Sequence, residues 1–118
     1  MYEGDATDQA ALVDREMLRA LRDALGGGVD MLVDKAGQVV EDRLRSLSEL
    51  DPVGDPEACA RIAHEIGGVS GQIGLKRLSQ QALAFEHRLR GGETDGARET
   101  IAAIGDTARN SLAEIRAV

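Results

Sequence analysis

Residues 55–74, DPEACARIAHEIGGVSGQIG, decide how the chain is read. Asp55 is a side-chain N-cap and Pro56 occupies the first helical turn, where its missing N–H costs nothing, so a helix is expected to start here and run toward Gly71 and Gly74. With successive residues 100° apart, Cys59, Ile62, Ile66, Val69 and Ile73 share one apolar stripe that faces a core. His64 then points away from that stripe. Beside it on the same outward face this spacing places Ala60, Gly67, Gly68 and Gly71, which carry little or no side chain. A glycine inside a helix costs about 0.5–1 kcal/mol relative to alanine, so a cluster of them beside an imidazole makes room for another molecule's surface. The competing reading is a helix broken near residue 67, with His64 an ordinary surface residue.

The rest of the composition narrows the class. The 118 residues suffice for one small core. There is no tryptophan, and Tyr2 and Phe85 are the sole aromatics, so the core is aliphatic and suits packed helices better than a sheet. A net charge of −7 with no dominant basic face argues against nucleic acid or an anionic membrane as partner. Cys59 has no possible disulfide partner within the chain and reads as a small apolar core residue in a reducing compartment. With no signal-peptide pattern and no run of about 18 apolar residues, the expected location is the cytoplasm. Two histidines and one cysteine cannot close a zinc site, and no HExxH, CxxC, GxSxG or Walker spacing occurs, so neither a metal nor a cofactor is expected in this chain.

In chain order, residues 1–11 are expected as a flexible tail and 12–118 as one domain. Leu12, Met17, Leu18, Leu21 and Leu25 support a short first helix stopped at Gly26-Gly27-Gly28. Val29, Leu32, Val33, Ala36, Val39, Val40, Leu44 and Leu47 keep helical spacing from about residue 29 to 50, and Asp51-Pro52-Val53-Gly54 is a turn. After the central helix, Leu75, Leu78, Ala82, Phe85 and Leu89 mark a helix that stops at Gly91-Gly92. Ala97, Ile101, Ile104, Ala108, Leu112 and Ile115 mark the last, over about 95–117. Short connections put consecutive helices side by side and antiparallel. The fold class is all-α, an antiparallel up-and-down four-helix bundle with a short additional N-terminal helix, expected as a monomer. The alternative is a helical hairpin pair that dimerises into a bundle.

The run His64-Glu-Ile-Gly-Gly-Val-Ser-Gly-Gln-Ile-Gly74 resembles the signature of histidine-containing phosphotransfer (HPt) domains, close to His-x-Leu-Lys-Gly-Ser-x-x-x-Leu-Gly. His64, Gly68, Ile73 and Gly74 carry the likeness, which continues into Leu78, Ala82 and Phe85-Glu86, where the family commonly has Leu-Glu. The resemblance implies a phosphorelay protein whose His64 accepts a phosphoryl group from, or returns it to, the aspartyl phosphate of a response-regulator receiver domain, with a hybrid histidine kinase as a further partner. Magnesium would belong to the receiver. The family's usual lysine three residues after the histidine is Gly67 here, and Arg61, one turn before His64, is the first candidate for a replacement cation, ahead of Lys76 and Arg77.

A nucleophilic imidazole must be neutral, with one nitrogen free and a proton on the other. An acceptor on the protonated nitrogen fixes the tautomer, and Glu86, at the core boundary of the adjacent helix, is the expected acceptor; the alternative makes it a plain surface carboxylate. His87 reads as a surface histidine and Ser70 as a packing residue. Two other functions compete with phosphotransfer: a non-phosphorylated module whose flat face docks and inhibits a receiver or kinase, and a plain structural bundle. They part on whether His64 takes up phosphate and whether substitution at Gly68 disturbs a partner.

Overall fold

A computed structural model describes residues 10–117. Within it run five α-helices: α1 (Arg15–Leu25), α2 (Gly28–Glu49), α3 (Pro56–Gln72), α4 (Lys76–Arg90) and α5 (Ala97–Ala117). Among the described residues there is no strand. Residues 1–9 of the expected tail lie outside this range. The carbonyl of Ala10, the first described residue, accepts a 2.8 Å bond from Arg77 Nε.

Local chemistry sets each boundary. Asp14 caps α1 by accepting from the amide of Met17 at 3.0 Å, and Asp55 caps α3 by accepting from Ala58 at 3.2 Å, with Pro56 opening the first turn. The α3–α4 corner depends on Gly74, whose φ of +79° side chains rarely adopt. Its carbonyl accepts from the amide of Asp14 at 2.7 Å, which fastens the start of α1 to this corner.

Helices α2 to α5 close a ring in which each packs on the next and α5 returns to α2, while α1 lies against α2. With short turns between them this is an up-and-down four-helix bundle with an extra N-terminal helix. Leu47, Ile66, Ile73, Leu75, Leu78, Phe85 and Ile104 are fully buried at its centre. Each such side chain contributes about 1.5–3 kcal/mol relative to exposure. The apolar faces are narrower than periodicity alone suggests. Leu32 and Val39 on α2, and Met17 and Leu25 at α1, are exposed, because each helix buries only the sector that faces its neighbours.

The α3–α4 pair packs most closely, and small residues are the reason. Ala60, Ala63 and Gly67 of α3 are buried against its neighbours. A Cβ at position 67 would lie 2.6 Å from both Cγ and Cδ2 of Leu83 on α4, and the Gly67 carbonyl accepts from Ser79 Oγ at 2.8 Å. The helix is therefore unbroken through residues 67, 68 and 71. Two expectations change: Ala60 and Gly67 do not belong to a cleared outward face but to the contact with neighbouring helices. The buried side of α3 is turned toward α4 relative to the stripe read from sequence, since Ile62 and Val69 are only half-buried.

Gly68, one residue on, is exposed, and a Cβ there would meet nothing within 4 Å. Gly68→Ala is accordingly expected to stabilise the protein by about 0.5–1 kcal/mol through helix propensity. Gly67→Ala forfeits that gain in the wild-type background and recovers it when Leu83→Ala clears the space. Urea unfolding of the double-mutant cycle checks this; equal gains at both glycines regardless of Leu83 would contradict it.

Candidate functional site

His64 projects from the flank of α3 nearest α4, with 65% of its side chain exposed. Glu86, one turn before the end of α4, is 16% exposed and its Oε1 lies 2.9 Å from His64 Nδ1. An ionised carboxylate can only accept, so Nδ1 carries the proton and donates. Nε2 is left with no partner among the described residues.

The second oxygen of Glu86 is also engaged. Arg90, one turn further along α4, donates from Nε to Glu86 Oε2 at 2.9 Å and from Nη1 to Oε1 of Glu57, in the first turn of α3. Glu57 and His64 are seven residues apart, two turns along one face of α3, so the chain His64–Glu86–Arg90–Glu57 crosses from α3 to α4 and back. The Arg90–Glu57 pair agrees with the helix dipoles: Glu57 is near the positive N-terminus of α3, Arg90 at the negative C-terminus of α4.

This arrangement fixes charge states. Burial pulls the Glu86 carboxyl up, but hydrogen bonds from Arg90 and His64, with their charges, outweigh it and hold the group below the usual glutamate value. The Arg90 guanidinium is pushed up by its bonds to Glu86 and Glu57. Glu86 is thus a carboxylate at neutral pH, available to accept from the imidazole and to oppose positive charge on it.

Other residues singled out in the sequence fall as follows. Arg61 is exposed and makes no hydrogen bond or ion pair among the described residues. Gly68 is exposed near His64, and Gly71 is half-buried, with a Cβ position 3.2 Å from Ser79 Oγ. Leu83, 40% exposed, covers the place where a side chain at position 67 would go. A lysine there would have to displace it. His87 is exposed, and Ser70 is fully buried, as a packing residue would be. Cys59 is fully buried, and burial, followed by the nearby Asp55 and Asp51, pushes its thiol up and away from reactivity. Among the described residues no three His, Cys, Asp or Glu side chains gather as metal ligands would.

Sequence reading alone does not single out Arg90 and Glu57. The signals are present: Glu86 and Arg90 are at i,i+4 spacing and Glu57 lies two turns before His64. That Arg90 bridges both helices depends on the tight α3–α4 packing.

Residues 15–118 match the family model of the Hpt domain. The chain belongs to the Hpt domain family. Hpt domains are histidine phosphotransfer modules of two-component signalling, a family that works with receiver domains and kinases, and the all-helical bundle agrees with that membership. No curated protein and no solved structure matches this Hpt chain. None of its described helices is long and apolar enough to cross a membrane.

The depressed Glu86 value has a signed consequence. Because the folded-state pKa lies below the unfolded one, ionised Glu86 stabilises the fold fully above the ordinary glutamate value, about 4.3, and that contribution is lost as pH falls through the lower folded value. The stability gap between wild type and Glu86→Gln, followed by urea unfolding from about pH 7 to about pH 2, is expected to narrow only in the acid range. A gap that stays constant throughout would contradict the pairing.

Proposed function

We propose that this Hpt domain carries a phosphoryl group on His64, to or from the aspartate of a response-regulator receiver domain. The single observation that carries the reading is an exposed imidazole whose Nδ1 is tied to a carboxylate while Nε2 has no partner among the described residues. In the transfer, the Nε2 lone pair attacks phosphorus and the phosphorus–oxygen bond to the receiver's aspartate breaks, the electron pair leaving with that carboxylate. The proton on Nδ1 stays in place, and the positive charge that grows on the ring is opposed by Glu86. The reverse transfer runs through the same geometry.

This chain supplies an oriented nucleophile and a surface that a partner covers, with Gly68 and Gly71 on that surface. The ion and acidic pocket that stabilise the transferring group belong, in this reading, to the receiver as bound magnesium, and the Hpt chain brings no cofactor of its own. Arg61, exposed and without an ion pair among the described residues, is the cation free to swing toward a phosphoryl group on His64. The carrier acts as a cytoplasmic monomer with residues 12–118 as one domain, and a hybrid histidine kinase is a second partner class.

One observation favours a second reading, a docking module that binds and inhibits a receiver or kinase without taking phosphate: Leu83 fills the space at Gly67 that a cation would need. Incubation with phosphorylated receiver domains separates the two. Phosphotransfer predicts acid-labile phosphate on the wild type and none on His64→Gln, with Gly68→Leu obstructing both binding and transfer. Binding that survives in His64→Gln while no wild-type phosphohistidine ever forms would favour the docking module, and equal labelling of His64→Gln would end the assignment of His64.

A further inference from the structure

We propose that Arg90 is a positioning residue for His64: by holding one oxygen of Glu86 and anchoring itself on Glu57, it fixes the other Glu86 oxygen on Nδ1 and so sets which ring nitrogen is free. The inference deepens the phosphotransfer reading and rests on it for its kinetic consequence, though not for its geometric one.

A glutamate has three side-chain torsions, and the last is broad and roughly two-fold, so one hydrogen bond from an exposed imidazole does not hold a carboxylate in a single plane. Arg90 removes that freedom. Its Nε takes Oε2 of Glu86 at 2.9 Å, leaving Oε1 to face Nδ1 at 2.9 Å. The guanidinium is rigid and planar, so a second bond from Nη1 to Glu57 fixes the direction of the first. Glu57 stands on the same helix as His64, so the clamp closes a loop of four side chains: α3 holds both ends and α4 the middle. Other charged groups close in sequence do not compete for this position. Among the described residues Arg61 and His87 form no ion pair, Glu65 is paired with Arg43 on α2 at 3.2 Å, and Arg88 bonds Thr100 on α5.

A lysine at position 90 would keep the charge but lacks the rigid planar fork, so its rotatable ammonium would not fix the direction of the bond to Glu86. Glutamine would keep length and remove the charge. Loss of Glu57 would leave Arg90 on Glu86 with its second anchor gone. These three changes grade the clamp without touching His64 or Glu86.

The test reads the ring nitrogens of His64 directly, by 15N NMR of the isolated protein at neutral pH, and pairs this with the rate of phosphoryl uptake from a phosphorylated receiver. Wild type is expected to show the proton mainly on Nδ1. Arg90→Gln is expected to shift population toward the Nε2-protonated form and slow transfer roughly tenfold, as for outer-shell partners that orient a histidine elsewhere. Arg90→Lys and Glu57→Gln should lie between, in the same direction. If Arg90→Gln does not fold, the latter two decide, since Glu57 is a surface residue with 70% of its side chain exposed. A tautomer unchanged in these variants, while Glu86→Gln alone shifts it, would overturn the proposal. If wild type takes up no phosphate from any receiver, the phosphotransfer reading fails, and the tautomer comparison still accepts or rejects the role of Arg90.

Discussion

The hydrogen bond from His64 to Glu86 joins two helices, and its 2.9 Å length depends on how closely those helices pack. Closeness comes from small side chains. With no side chain at Gly67, Leu83 of α4 lies over the α3 backbone and Ser79 reaches the Gly67 carbonyl, while Ala60 and Ala63 are fully buried on α3. A larger residue at 67 would have to displace Leu83 from the α3–α4 contact. What resembles a functional motif in the sequence is thus first a packing constraint, from which the geometry of the site follows.

Electrostatics then turns that geometry into chemistry. Glu86 is largely screened from water, which by itself disfavours its charge, and the bonds from Arg90 and His64 reverse the balance. The imidazole stays mostly in solvent, held at one nitrogen and open at the other. In the proposed role of His64 as nucleophile, access and orientation are needed together, and the two demands fall to different helices: α3 presents the ring and α4 steadies it. In the phosphotransfer reading, the division of labour continues across the interface, with this chain orienting the nucleophile and the receiver stabilising the group in flight.

Much of this is legible in the sequence, and the failures share one cause. Capping residues, the glycine stops and the 3.6-residue period locate all five helices, since these are local signals. The pairing of His64 with Glu86 is legible because short turns force α3 and α4 to be neighbours. Periodicity puts Ala60 and Gly67 on the wrong side because it weighs only large apolar residues. Bulky Ile62 and Val69 draw the stripe toward themselves, while the buried Ala60 and Gly67 are too small to weigh in a hydrophobic pattern. Leu32 and Val39 err the other way, apolar and in phase yet left at the surface. Arg90 and Glu57 escape notice because their meeting spans 33 residues and depends on how closely two helices approach, which no local pattern records.

The central claim is that Nε2 of His64 is the acceptor while Nδ1 remains protonated against Glu86. Combined 31P and 15N NMR of the phosphorylated protein tests it most directly. The account predicts phosphorus coupled to Nε2 of His64, with Nδ1 still bearing its proton. Phosphorus bonded to Nδ1 of that ring, or carried by His87 instead, would contradict it.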